Sequence, residues 1–141
     1  MSWLKRKSVL IPIDFSELSY QALDPANELV EDRSCLKLIH VLAPLHPADP
    51  AAMWDTVSSD ERKQKVQSFT HSKLCEMGYD DIHIQVVIGE TSSKIVDYAR
   101  EIDADLIVMS SHGRKGIGHF ILGSVAEQVT RLSHCPVLIL K

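Results

Sequence analysis

No apolar run in this chain of 141 residues approaches the length, about 20 residues, that a membrane-spanning helix needs. A span is therefore not expected, which leaves a membrane-protein partner open. The basic cluster Lys5 to Lys7 is followed only by Ser8 to Ile13 before Asp14, too short an apolar stretch for a secretion signal. The expected location is the cytoplasm. Cys35, Cys75 and Cys135 are odd in number, far apart and without a CxxC pair, so they read as three buried thiols in a reducing compartment. With no CxxC and no HExxH, spacing supports no zinc site, and the seven histidines are scattered. The phosphate-binding string GxxxxGK[ST] is also missing. Positive charge is not in excess: 15 Lys and Arg against 19 Asp and Glu give a net charge of −4. That balance gives no electrostatic footprint for nucleic acid, and no acidic run suggests a disordered tail.

What is present is ordinary for a globular chain: 45% hydrophobic and 24% charged residues. The length suits one domain, taken as residues 1–141, and no repeat, linker or low-complexity tract divides it. Five short apolar runs read as strands: Val9 to Ile13, Cys35 to Leu42, Ile82 to Ile88, Leu106 to Met109 and Val137 to Leu140. The third alternates Ile82, Ile84 and Val86 with His83 and Gln85, which marks an edge strand. Helical stretches lie between them. Ser16 can cap one reaching about Glu31, with a break or kink at Pro25. Asp60 to Met77 places Val66, Phe69, Leu74 and Met77 on one face. Thr91 can cap a helix to Ile102, and Ser124 one with Val125, Val129 and Leu132 on one side. Residues 43–59, with Pro44, Pro47, Pro50, Met53 and Trp54, read as an irregular loop, either a lid or partner surface or a plain excursion.

Strand and helix alternate throughout, which predicts an α/β fold with right-handed crossovers. The expectation is a doubly wound, five-stranded parallel sheet in the order 3-2-1-4-5, with helices on both faces. Ligands of such sheets sit at the carboxyl edge where strand order reverses, here between strands one and four. Strand four leads into Gly113 to Ser124, where Gly113, Gly116, Gly118 and Gly123 account for four of the six glycines. Glycine lets backbone N–H groups approach phosphate oxygens, and the following helix start adds a positive dipole end. Arg114 and Lys115 add cationic charge. The alternative is a connection in which glycine serves only turns. Ser124 and Glu127 also match a capping box, which can alternate with phosphate contact. Asp14, after strand one, either leads into the Ser16 cap or faces the crevice to hold a ribose hydroxyl or a metal ion. His112 either donates to phosphate or is a polar strand end.

These residues resemble the universal stress protein family, in its single-domain, ATP-binding-motif form of bacteria and archaea. The family motif is G-x2-G-x9-G-[S/T]. Gly113, nine residues and Gly123-Ser124 match its last two glycines and hydroxyl, while Ser110 stands where the first glycine would be. Val108 to Gly113, Ile11 to Ser16, Ile39 to Val41, Ser124 to Val129 and Cys135 to Ile139 carry the rest of the resemblance. It implies the fold of the adenine-nucleotide alpha-hydrolase-like group and an adenine nucleotide ligand, ATP or ADP or AMP, with or without Mg2+. Pro12 and Asp14 would lie beside the adenosine, and Val41 would offer its backbone to the adenine edge. Met109, Ser110, Gly113, Gly123, Ser124 and Val125 would line the ribose and phosphates, with His112, Arg114 and Gly116 nearby. A serine β-carbon at Ser110 is expected to weaken binding without abolishing it. A homodimer through Val137 to Leu140 is a further implication. The expected role is regulation in the stress response, with at most slow ATP hydrolysis; the alternatives are a weak ATP-hydrolysing enzyme and a nucleotide-free interaction module.

Overall fold

The computed structural model describes residues 4–44, 48, 59–111 and 122–141. Five strands form one parallel sheet: β1 (Val9–Pro12), β2 (Leu36–Leu42), β3 (His83–Ile88), β4 (Leu106–Ser110) and β5 (Val137–Leu140). Their order is β3-β2-β1-β4-β5, the order expected from the alternation of elements. Val9 of β1 lies between Leu36 of β2 and Leu106 of β4, so the central strand is paired on both sides. It is buried along its whole length, which explains its uninterrupted apolar run. Strand β3 is an edge, with Ile84 and Val86 buried and His83 exposed, as its alternation requires.

The chain moves outward from β1 through β2 to β3, then returns to β4 and β5 on the other side. Right-handed crossovers therefore put the helices on opposite faces. One face is covered by α1 (Glu17–Gln21), α2 (Leu23–Glu28) and α3 (Ser59–Glu76). It buries Ile11, Tyr20, Leu23, Leu38, Leu74 and Val108 together. The other is covered by α4 (Thr91–Glu101) and α5 (Ser124–Leu132), and buries Leu10, Ile39, Ile95, Tyr98, Ile107 and Val129. Among the described residues no helix is long and apolar enough to cross a membrane.

Several sequence expectations need correction. The first helical stretch is two short helices divided at Ala22 and ending by Leu29, not Glu31. Pro25 lacks the N–H that would bond to the Gln21 carbonyl, and its ring crowds that carbonyl; α1 stops at Gln21. Of the expected apolar face of α3, Val66, Leu74 and Met77 pack on the core together with Thr70, but Phe69 is 61% exposed. Val129 is buried as expected, and Ala126 with it, but Leu132 is 49% exposed. Of the three thiols, Cys75 is exposed and Cys35 and Cys135 are half-buried. Cys35 closes a 3-10 turn before β2 rather than opening the strand. Most of the proline-rich loop, Pro47, Pro50, Met53 and Trp54 included, lies outside the described residues.

Candidate functional site

Strands β1 and β4 are neighbours whose following segments leave toward opposite faces, which opens a crevice at their carboxyl ends. A cavity of about 410 Å³ lies there, within the size range of small-ligand sites. Pro12, Ile39, Val41 and Met109 come to it from the sheet, and Ile95, Val125 and Ala126 from α4 and α5. Asp14, Ser19, Thr91, Ser110, Ser111 and Ser124 supply its polar groups. The wall therefore combines apolar side chains with several hydroxyls and one carboxylate.

Asp14 leads into the Ser16 cap and also faces the crevice. It lines the cavity, and its Oδ1 accepts from Ser16 N–H at 3.0 Å and from the Ser16 hydroxyl at 2.6 Å. Ser16 in turn caps α1, accepting from Ser19 N–H at 3.1 Å. Ser19, itself buried, accepts from Asp14 N–H at 3.3 Å and donates to the Ser16 carbonyl at 2.8 Å. This closed set of bonds fixes the chain where it leaves β1. One residue earlier, Ile13 N–H donates to the Ile39 carbonyl at 2.9 Å, and the Ile13 carbonyl lies 2.8 Å from His40 Nδ1. A carbonyl only accepts, so His40 Nδ1 carries the proton.

At the end of β4, Ser111 N–H donates to the Leu140 carbonyl at 2.8 Å, and Gly123 N–H donates to the Ser111 carbonyl at 2.8 Å. Residues 111 and 123, on either side of the glycine-rich segment, therefore meet at the cavity rim. The expected cap of α5 is displaced by one residue: Gly123 is the N-cap, Ser124 is the first helical residue, and no side chain caps the helix. Glu127 does not close a capping box; its carboxylate pairs with Arg131 at 3.5 Å. The hydroxyl of Ser124 is thus not committed to capping, and the first-turn N–H groups of α5 have no partners within the helix. The cap of α4 is displaced in the same way. Glu90, not Thr91, caps it, accepting from Ser92 and Ser93 N–H at 3.2 and 2.7 Å. Hydrogen bonds from Ser93, and then from Ser92, hold the Glu90 carboxyl below its ordinary pKa. The two cavity-wall helices are tied together by the buried Ser92 hydroxyl, which donates to Gln128 Oε1 at 2.5 Å.

Of the site residues read from the sequence, Pro12, Asp14, Val41, Met109, Ser110, Gly123, Ser124 and Val125 meet around this cavity. His112, Gly113, Arg114 and Gly116, with Lys115 and Gly118, lie outside the described residues. Sequence reasoning missed Ser19, His40, Thr91, Ile95 and Ser111. The signal for Thr91 and Ile95 was their place at the start of a helix following an edge strand. His40 had a weaker one, a polar residue inside an otherwise apolar run.

The universal stress protein family model matches residues 5–141. The chain is 30% identical to the universal stress protein MJ0531 of Methanocaldococcus jannaschii, over 96% of this chain and 82% of that one. It is 31% identical to the universal stress protein YxiE of Bacillus subtilis, over 94% and 97%. Among solved structures, that of the M. jannaschii protein MJ0577 superposes with a TM-score of 0.75 at 25% identity, covering 96% of this chain and 95% of that one. A universal stress protein in complex with cAMP superposes with a TM-score of 0.65 at 26% identity, covering 96% and 97%.

Proposed function

Because this chain belongs to the universal stress protein family, we propose that it binds an adenine nucleotide in the cavity between β1 and β4 and acts as a regulatory protein of the stress response. The observation that carries this reading is the convergence of Pro12, Asp14, Val41, Met109 and Gly123 to Val125 from four separate stretches of chain on one cavity. The cavity suits the parts of such a ligand. Ile39, Val41, Ile95 and Val125 offer apolar contact to an adenine ring, and the Asp14 carboxylate suits ribose hydroxyls. The N–H groups at the start of α5 suit phosphate oxygens, as helix starts do. Among the described residues Asp14 is the only carboxylate on the cavity wall, so a Mg2+ ion would take its other ligands from the phosphates and water. The related structure bound to cAMP supports the ligand class. On this reading ATP, ADP or AMP is held rather than turned over, and residues 1–141 act as one unit in the cytoplasm.

Calorimetric titration with ATP, ADP, AMP and cAMP tests it. Saturable binding of at least one is expected, weakened tenfold or more by Asp14→Ala and by Gly123→Val. No binding by any of the four would overturn it, and multiple turnovers of ATP that vanish in Asp14→Ala would make the protein a slow hydrolase instead. Strand β5 is a sheet edge with Leu138 38% exposed, which favours pairing with a second copy. A light-scattering mass of two chains is expected at micromolar concentration; a mass of one would refute the homodimer.

A further inference from the structure

Phe15 follows Asp14 directly, and the nucleotide-binding reading gives it no part. Its backbone has φ +69°, in the left-handed region. A residue with a β-carbon is disfavoured there by roughly fivefold to thirtyfold in population, so the surroundings must hold it. They do so from two sides. The Phe15 ring lies 4.2 Å from the His40 ring, tilted by 34°, and meets Phe69 edge-on at 5.4 Å and 90°. His40 is buried and fixed by its bond to the Ile13 carbonyl. Phe69 is 61% exposed on α3 and sits outside the buried cluster of that face, yet its ring packs on Phe15.

The turn at Phe15 joins two fixed points. Ile13 is bonded to β2 on one side, and Ser16 caps α1 on the other. With the left-handed residue between them, Asp14 Oδ1 accepts from both the amide and the hydroxyl of Ser16 while Asp14 lines the cavity. We propose that Phe15 is a positioning residue: the ring stack of His40, Phe15 and Phe69 holds the left-handed turn that keeps the Asp14 carboxylate at the ligand cavity. The effect on affinity rests on the nucleotide-binding reading; the positioning itself rests on this geometry alone.

Three variants of the full chain test it: Phe15→Ala, Phe15→Gly and Phe69→Ala. Amide hydrogen exchange at Ser16 without ligand reads the positioning, and calorimetric titration with ATP and with AMP reads its consequence. Phe15→Ala keeps the backbone penalty and loses the ring, so exchange at Ser16 speeds about tenfold and affinity falls about tenfold. Phe15→Gly adopts positive φ freely, so both readouts stay within about threefold of wild type even though the protein melts earlier. Phe69→Ala, at an exposed site away from the cavity, costs two- to threefold in both. Wild-type exchange in Phe15→Ala, or equal losses in the glycine and alanine variants, would overturn the proposal. If Phe15→Ala does not fold, Phe69→Ala decides: a two- to threefold loss supports the stack, and wild-type exchange overturns it. A wild-type protein that binds neither nucleotide would overturn the binding reading, while the exchange measurements still decide the positioning.

Discussion

On the face covered by α1, α2 and α3, packing among the described residues runs to the carboxyl ends of the strands, with Ile13, Tyr20 and Leu42 continuing that of Ile11 and Leu38, and only Ile13, Asp14 and Ser19 of its first segment reach the cavity. On the face covered by α4 and α5, packing stops at Ile39, Ile95, Met109 and Ala126, and beyond them lies the cavity. The two faces differ in the residues that reach these ends. The filled face enters its first helix through Phe15 and reaches Tyr20 and Leu23 within two turns. The open face enters its helices through Thr91 and Ser92, and through Gly123, Ser124, Val125 and Ala126, which are too small to fill the crevice. One face is thus packed out to the strand ends, and the other leaves a cavity there.

The largest separation of the two roles comes from truncating the filled face. Leu38 is fully buried there, and Leu38→Ala should cost about 3 kcal/mol in denaturant unfolding. Nucleotide affinity of the folded fraction should stay near wild type; a large loss of affinity would join the two faces into one unit. The converse substitution is Val41→Phe, which puts a ring into the cavity from a half-buried position. Stability should change by about 1 kcal/mol or less, and nucleotide affinity should fall at least tenfold; unchanged affinity would move the ligand elsewhere.

A smaller effect probes the filled face through pH. Burial, with the hydrogen bond that Tyr79 donates to Asp24, pushes the Tyr79 pKa up to about 12. The unfolded chain loses this proton near the ordinary value of 10, before the folded protein does. The contribution to stability is therefore complete below pH 10 and is lost, by about 1 kcal/mol, as pH rises toward 12. Tyr79→Phe should flatten this part of the stability profile. The smallest effect is at the rim of the open face. Glu90 has a lowered pKa and caps α4 as a carboxylate, so its support is present above the ordinary carboxyl range and fades as pH falls through its own lower value. Glu90→Ala should lower Tm at neutral pH, with the gap from wild type closing in acid.

The sequence was most informative where burial dictates residue type. Continuous apolar runs in β1 and β4 and the alternation in β3 were enough to order the sheet. Pro25 marked its break because the missing N–H acts locally. The helix caps lie one residue before Thr91 and Ser124, since the Glu90 carboxylate takes the capping bonds of one helix and Gly123 supplies only the backbone angles of a cap to the other. Phe69 and Cys75 were misjudged because α3 carries only a weak apolar stripe, and its neighbours decide which side is covered. The lining of the candidate site was legible at Asp14 and Gly123-Ser124, which the expected strand order brings to one crevice. It was not legible at Ser19 or His40, whose roles are hydrogen bonds to backbone made only after folding.

The central claim, that the open face holds a nucleotide, is tested most directly by amide chemical-shift mapping during titration with AMP or ATP. The expected result is saturable shifts centred on Ile13 and Asp14, Ile39 to Val41, Thr91 and Ile95, Met109 to Ser111 and Gly123 to Ala126, with Leu74, Tyr79 and Ile84 on the filled face unmoved. No saturable shifts with either nucleotide, or shifts centred on the filled face, would contradict it.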